Sequence, residues 1–213
     1  MVSTLRFYRR NLPHWMVADR PYFVTMRLHG TVPRQVLDEL VREREELLDS
    51  KPDEEQWTAI VRRQFRRIET ILDACDGSDR WLGDASVAGM FLESLKWMES
   101  ARGWRFYAVT VMPNHVHMVL RNLDGRNDCL LEDVGHLKRF TARMANRLVN
   151  RQGPFWARED FDHWCRTPEK IAGAVSYTVN NPIKAGLARA WNDWPWSRVD
   201  PEFLETVGME GPR

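Results

Sequence analysis

The stretch Val111-Met112-Pro113-Asn114-His115-Val116-His117-Met118-Val119-Leu120 decides how this chain is read. It is apolar and β-branched, and Pro113-Asn114 interrupts it with turn chemistry. Successive side chains on a strand point to opposite faces. His115 and His117 therefore share a face, close enough to hold one metal ion, while Val116 and Met118 turn the other way into a core. A second β-rich run, 104–111, ends where this one begins. The connector Met112-Pro113-Asn114 is so short that the two runs form an antiparallel hairpin.

Outward from the hairpin, Tyr22 to Leu28 alternates and reads as the first strand, closed by His29-Gly30 and a turn into Pro33. Residues 34–49 and 53–74 carry apolar residues at helical spacing, with a break near Ser50-Lys51-Pro52, and 85–101 form another amphipathic helix. Downstream, 130–150 predict a helix with Leu131, Val134, Leu137, Phe140, Met144 and Leu148 on its apolar side. Gly153-Pro154 breaks it, and 155–166 are aromatic and extended. Thr167 then offers an N-cap and Pro168 a first-turn proline. This last helix is expected to stop before Pro182, because the residue preceding a proline disfavours helix.

The order is βαββαβ with a central antiparallel hairpin, a ferredoxin-like signature. The expectation is an α+β fold: a ferredoxin-like antiparallel sheet with helices on one face, and a helix bearing Tyr177 towards the C-terminus. Residues 34–84 form a helical insertion after the first strand, and 190–213 a C-terminal tail, within a single domain over 1–213.

With 43% hydrophobic and 29% charged residues, the chain can bury a core and is not a disordered one. No apolar run approaches the ~20 residues of a membrane span, and the first ten residues lack a signal-peptide core. Three scattered cysteines, Cys75, Cys129 and Cys165, suggest a reducing cytosol, so a cytoplasmic protein is expected. The net charge of +1 hides an asymmetry. Residues 34–80 hold nine lysines and arginines against thirteen carboxylates; residues 134–189 hold ten against four. A basic region in a near-neutral chain is a candidate polyanion surface. Its cations include Lys138, Arg139, Arg143 and Arg147, on one broad face of the 130–150 helix, and Lys184 after the tyrosine helix. They are candidate phosphate contacts, which give affinity and salt dependence rather than sequence choice.

Two histidines leave a metal site incomplete. Tyr177 and Asn181 are four apart, on one helix face. The Asn181 amide oxygen suits a hard cation such as Mg²⁺ or Mn²⁺. The Tyr177 phenol can act as a nucleophile and form a covalent intermediate. A tyrosine attacking phosphorus would hold one DNA end as a phosphotyrosine ester, which a second DNA end can displace without ATP. The metal's task would be to polarise and position the scissile phosphate.

Taken together, these blocks resemble a known family, the REP-associated tyrosine transposases, which are single-tyrosine HUH transposases of the insertion-sequence-200-like kind. The resemblance rests on Tyr22-Phe23-Val24-Thr25-x-Arg27, on Val111-Met112-Pro113-Asn114-His115-Val116-His117, and on Lys138-x-Phe140-Thr141-Ala142. Further blocks are Gly153-Pro154-Phe155-Trp156-x-Arg158-x-x-Phe161-Asp162, Tyr177-Thr178-x-x-Asn181-Pro182-Ile183-Lys184-Ala185-Gly186-Leu187, and Asp193-Trp194-Pro195-Trp196-Ser197. It implies a ferredoxin-like nuclease that cuts and rejoins single-stranded DNA at hairpin-forming repeats. The HUH histidines fall on His115 and His117, the nucleophile on Tyr177, and the polar residue that completes the metal site on Asn181. The chain departs from the family pattern in the longer, more acidic segment 34–72, in Thr178-Val179 and in Arg198. The first leaves monomer and homodimer both open.

Two other readings compete. A non-catalytic protein of the same fold that binds structured DNA would use the basic helix alone. A metal-dependent phosphohydrolase would need water as nucleophile, and the sequence offers no carboxylate cluster for two metals.

Overall fold

The protein is described by a computed structural model that covers residues 4–9, 13–17, 19–50, 53–74 and 79–204. Its centre is a five-stranded antiparallel sheet in the order β6-β3-β5-β4-β7. The strands are β3 (Tyr22–Arg27), β4 (Trp104–Val111), β5 (His115–Asn122), β6 (Phe161–Trp164) and β7 (Ser197–Val199). Strand β5 lies in the middle, with β3 on one side and β4 on the other. It is buried on both faces, which explains why its sequence is a nearly continuous apolar run rather than a strict alternation. The order of β6, β3, β5 and β4 is the ferredoxin-like arrangement, extended at one edge by β7.

The 22–28 strand is not the first in the chain. A separate two-stranded antiparallel sheet, β1 (Thr4–Arg9) with β2 (Pro13–Val17), precedes it. The short stretches before residue 18 have no clean apolar alternation, so periodicity alone did not point to them.

The helices divide between the two faces of the sheet. Helices α3 (Ala85–Arg102) and α4 (Leu130–Leu148) pack Phe91, Leu95, Val134 and Leu137 against Met26, Val109, Val116 and Met118. On the other face, α5 (Pro168–Lys184) sets Val175 and Val179 against Phe23, Ala108 and Val119. Each such fully buried side chain contributes about 1.5–3 kcal/mol relative to exposure. The insertion is a helical hairpin, α1 (Arg34–Asp49) and α2 (Glu54–Ala74). Leu40, Ile68, Leu72 and Val32 join its two helices and the end of β3 in a small core of their own. Val61 and Phe65 of α2 pack onto the α5 side of the sheet. A last short helix, α6 (Pro201–Leu204), follows β7.

Two boundaries have readable causes. Asp84 caps α3 by accepting from the backbone N–H groups of Ser86 and Val87, and Gly103, at φ 68°, ends it in the left-handed conformation. Helix α5 starts at the Thr167 cap as the sequence predicts. It does not stop before Pro182; it runs through that proline to Lys184. The turn beyond is held by N–H groups of Ala185, Gly186 and Leu187 donating to the carbonyls of Asn181, Ile183 and Pro182. Asn181 thereby stays in helical register with Tyr177.

Helix α4 is rotated from its expected setting. Its inward stripe is Leu130, Val134, Leu137, Thr141 and Ala145, whereas Phe140 and Leu148 are 45% and 46% exposed. Thr141 takes an inward place because its hydroxyl accepts from the Trp156 indole at 2.9 Å and donates to the Leu137 carbonyl. No helix of the described residues is long and apolar enough to cross a membrane. Cys129 and Cys165 are free thiols; Cys75 lies outside the described residues.

Candidate active site

The alternation of β5 sends His115 and His117 to the α5 side of the sheet, as the sequence predicts. Both are fully buried. His115 is opposite Arg27 and His117 opposite Thr25 on β3. The two Nε2 atoms approach to 3.0 Å.

Their other ring nitrogens are fixed by neighbours. His115 Nδ1 lies 2.7 Å from Asn114 Oδ1 and His117 Nδ1 lies 2.9 Å from the Thr25 hydroxyl. The Asn114 amide has a defined orientation, because its Nδ2 donates to the Leu72 carbonyl of α2 at 2.9 Å. Its oxygen must then face His115, so His115 carries its proton on Nδ1 and leaves Nε2 bare. This is the outer-shell device by which proteins orient an imidazole toward a metal. Burial, and then the neighbouring His117, push the pKa of His115 down to about 3. The ring is therefore neutral at ordinary pH, as a ligand must be.

A carboxylate that the sequence reading missed completes the cluster. Glu69 of α2 is 3% exposed and lies 3.2 Å from His117 Nε2. Burial raises its pKa, but His117 and His115 more than offset this and bring it down to about 2. Glu69, His115 and His117 offer ligand atoms within 4.8 Å of one another. The signal for Glu69 was present in the sequence: it falls one turn after Phe65 and between Ile68 and Leu72, a charge on the apolar stripe of its helix. Buried acidic residues are rare unless paired.

Helix α5 brings the remaining groups. The half-buried Tyr177 packs its ring edge-on against His117, at 5.4 Å between centroids, and against Phe23 at 5.8 Å. Phe23 in turn stacks on His117 at 5.3 Å. The Tyr177 hydroxyl donates to Glu69 Oε2. Burial and the negative charge of Glu69 raise the phenol's pKa above its ordinary value. Asn181, one turn on, is 1% exposed and bears on both His115 and Tyr177, yet neither of its amide atoms makes a well-formed hydrogen bond among the described residues. Glu69 Oε1 is likewise buried without a partner.

Those orphaned oxygens test whether the residues fit a divalent ion. Two imidazoles, an amide oxygen and a carboxylate, all buried, make a mixed nitrogen and oxygen donor set suited to Mn²⁺ or Mg²⁺. A cation would satisfy the atoms that the protein leaves bare.

The five candidate DNA-contacting cations separate. Lys184 stays beside the site: its ammonium pairs with Asp73 of α2 and lies 5.9 Å from the Tyr177 ring centre. Lys138 is turned inward, with Nζ bonded to the Ala157 carbonyl at 2.6 Å and to Asp160 at 2.8 Å. Its side chain is only 13% exposed, so its charge serves the fold. Arg139, Arg143 and Arg147 are exposed on α4. That helix covers the opposite face of the sheet from Tyr177.

With the geometry in hand, comparisons with known proteins agree on one direction. No protein-family model matches the chain. A protein of Haemophilus influenzae that carries the name REP-associated tyrosine transposase is 27% identical over 99 residues, 42% of this chain. The match spans little more than half of that relative, 56% of its length. Among solved structures, one of a REP-associated tyrosine transposase bound to a REP hairpin superposes with a TM-score of 0.53. It covers 96% of this chain and 87% of the other at 15% identity, a likeness of fold. In sequence and in fold, the chain is similar to REP-associated tyrosine transposases.

Proposed function

We propose that this protein is a metal-dependent endonuclease and strand transferase acting on single-stranded and hairpin-forming DNA, in the manner of a transposase. The observation that carries the reading is the hydrogen bond from the Tyr177 hydroxyl to Glu69 beside the paired Nε2 atoms of His115 and His117. A candidate nucleophile, an acceptor for its proton and two imidazoles meet at one point.

His115, His117 and Asn181 would hold the ion, Mg²⁺ or Mn²⁺, with an oxygen of Glu69 added to the set. When bound, it supplies Lewis-acid polarisation of the scissile phosphate and neutralises its developing charge. Tyr177 Oη attacks phosphorus, and its proton passes to Glu69 Oε2, to which it is already bonded. The new Oη–P bond forms as the bond to the departing strand oxygen breaks; that oxygen takes up the proton from Glu69, which leaves one DNA end esterified to Tyr177 and the other free as an alcohol. Attack of a second DNA end on the same phosphorus reverses the chemistry and returns the proton to the tyrosine. Lys184 holds positive charge beside the ring throughout. One catalytic unit with the α1–α2 hairpin as an integral part, working in the cytoplasm on chromosomal DNA, fits this reading.

The test is direct. A labelled hairpin oligonucleotide incubated with the protein and Mn²⁺ should yield a covalent protein–DNA adduct that chelation prevents. An adduct that persists in Tyr177→Phe would overturn the assignment, and tight hairpin binding with no adduct at all would favour the non-catalytic DNA-binding reading.

A further inference from the structure

Beside the nucleophile lies a cavity of about 460 Å³ between α2, β6 and α5. Its walls are mostly apolar and aromatic: Phe23 from β3, Phe65 from α2, and Phe161 and His163 from β6, with Tyr177 at one end. The rings touch one another, Phe65 on Phe161 at 4.4 Å and Phe23 on Phe65 at 5.6 Å, so they form one continuous surface. Three exposed cations stand at its rim: Arg62 from α2, and Arg166 and Lys170 at the start of α5. Arg166 lies 5.0 Å over the Trp164 ring. One carboxylate, Glu169, stands at the rim; that of Asp162 alternates to the other face of the sheet with its partner Val24.

One residue that lines the cavity, Gly173, carries no side chain. Gly173 lies inside α5, where a glycine costs about 1 kcal/mol of helix stability relative to alanine. A Cβ built on it would meet nothing within 4 Å. The space is therefore not filled by the fold, and nothing in the packing of α5 requires a glycine there.

We propose that this cavity receives one unpaired nucleobase of the DNA strand that reacts at Tyr177. The inference rests on the functional reading above and adds to it a base-holding subsite, built in part by the α2 insertion of this chain. A flat π-faced ligand suits the aromatic walls, and stacking tolerates any base. The phosphates on either side of the base fall to the Arg62, Arg166 and Lys170 rim. Enzymes that act on nucleic acid commonly hold an extruded base in such a pocket. Here it would fix the strand so that the adjoining phosphate faces Tyr177 Oη.

The experiment uses the full chain in EDTA, so that binding is read without cleavage. A hairpin oligonucleotide with single-stranded extensions carries the fluorescent adenine analogue aminopurine at one extension position at a time. One position is expected to be strongly quenched on binding. Gly173→Leu, which fills the cavity, should abolish that quench and weaken binding about ten-fold or more, within the range for loss of one stacked base. Gly173→Ala should keep both. Iodouracil at the quenched position should cross-link on irradiation of the wild-type protein to Phe65, Phe161 or His163, an outcome that needs no variant to fold. Quenching at no position, quenching unchanged in a folded Gly173→Leu protein, or cross-links only elsewhere would overturn the proposal. Covalent adduct formation with Mn²⁺, run in parallel, separates the two readings: an adduct with an empty cavity removes the subsite alone, and no adduct removes the function.

Discussion

The hydroxyl of Tyr177, on α5, is bonded to the carboxylate of Glu69, on α2, two residues 108 apart in the chain. The contact joins the tyrosine helix to the inserted helical hairpin across the paired histidines. It brings the α1–α2 hairpin, expected from the sequence as an insertion, into the candidate site.

Tyr177→Phe should eliminate the covalent adduct while hairpin binding in EDTA stays at the wild-type level. Removing the phenol hydroxyl also takes a donor from the buried Glu69 carboxylate, so metal-free stability should fall by about 1–3 kcal/mol. Urea unfolding and a denaturing gel read the two effects separately. A variant that keeps the adduct contradicts the role of Tyr177.

Glu69→Gln preserves the shape of the side chain and removes its charge. Mn²⁺ affinity measured by calorimetry should drop about 10–100-fold, the range seen when a metal site loses supporting groups. Equal affinity in wild type and variant would remove Glu69 from the metal site and leave it only its bond to Tyr177.

Stability in EDTA should decline as pH falls. His115 is pushed down to about 3 from 6.5, so between those values the unfolded chain binds a proton that the folded one refuses. Glu69, held at about 2 from 4.5, adds the same sign at lower pH. Each group contributes at most about 1.4 kcal/mol per pH unit within its window. His163, pushed down to about 4 by burial, adds the same sign in the same window, so urea midpoints should slope downward from pH 6.5 and His115→Gln should reduce, without abolishing, the slope between 6.5 and 4.5. An unchanged slope in that variant would show that another group sets it.

Lys138→Ala should destabilise by about 3–5 kcal/mol, because it leaves Asp160 buried without its ammonium partner. Burial already pushes the Asp160 carboxyl upward, against the pull of Lys138. Arg143→Ala, on the exposed side of α4, should alter stability by no more than about 0.5 kcal/mol. If Arg143 meets a phosphate, its loss reduces the salt dependence of DNA binding by about one counterion. Fluorescence anisotropy across a salt series, together with urea unfolding, distinguishes the two lysine and arginine roles.

Much of this site was legible in the sequence because periodicity carries it. The alternation of β5 puts His115 and His117 on one face, and the four-residue spacing of Tyr177 and Asn181 puts them on one side of α5. The helix expected at 85–101 runs over 85–102 because the Asp84 cap and Gly103 act locally. Glu69 escaped because its partners are remote in sequence, and a charge on an apolar stripe has meaning only once its neighbours are known. Pro182 misled because its local preference was outweighed by hydrogen bonds from the three residues that follow Lys184. Lys138 and Arg143 look alike in the sequence; only the fold puts Asp160 beside the first. The arginine row on α4 is a candidate phosphate surface by charge alone; only the fold shows that the sheet lies between it and Tyr177.

The Asn114 amide links the last turn of α2 to the tautomer of His115. If that turn leaves the sheet, the Leu72 carbonyl no longer fixes the amide, and Asn114 becomes able to rotate and present its NH₂ group to the ring instead. The proton on His115 would then shift to Nε2, the atom that must be bare to accept a metal. The imidazole is in this way a built-in gauge of docking: its nitrogen NMR shifts should report, residue by residue, whether the insertion is seated before any ion or DNA is added.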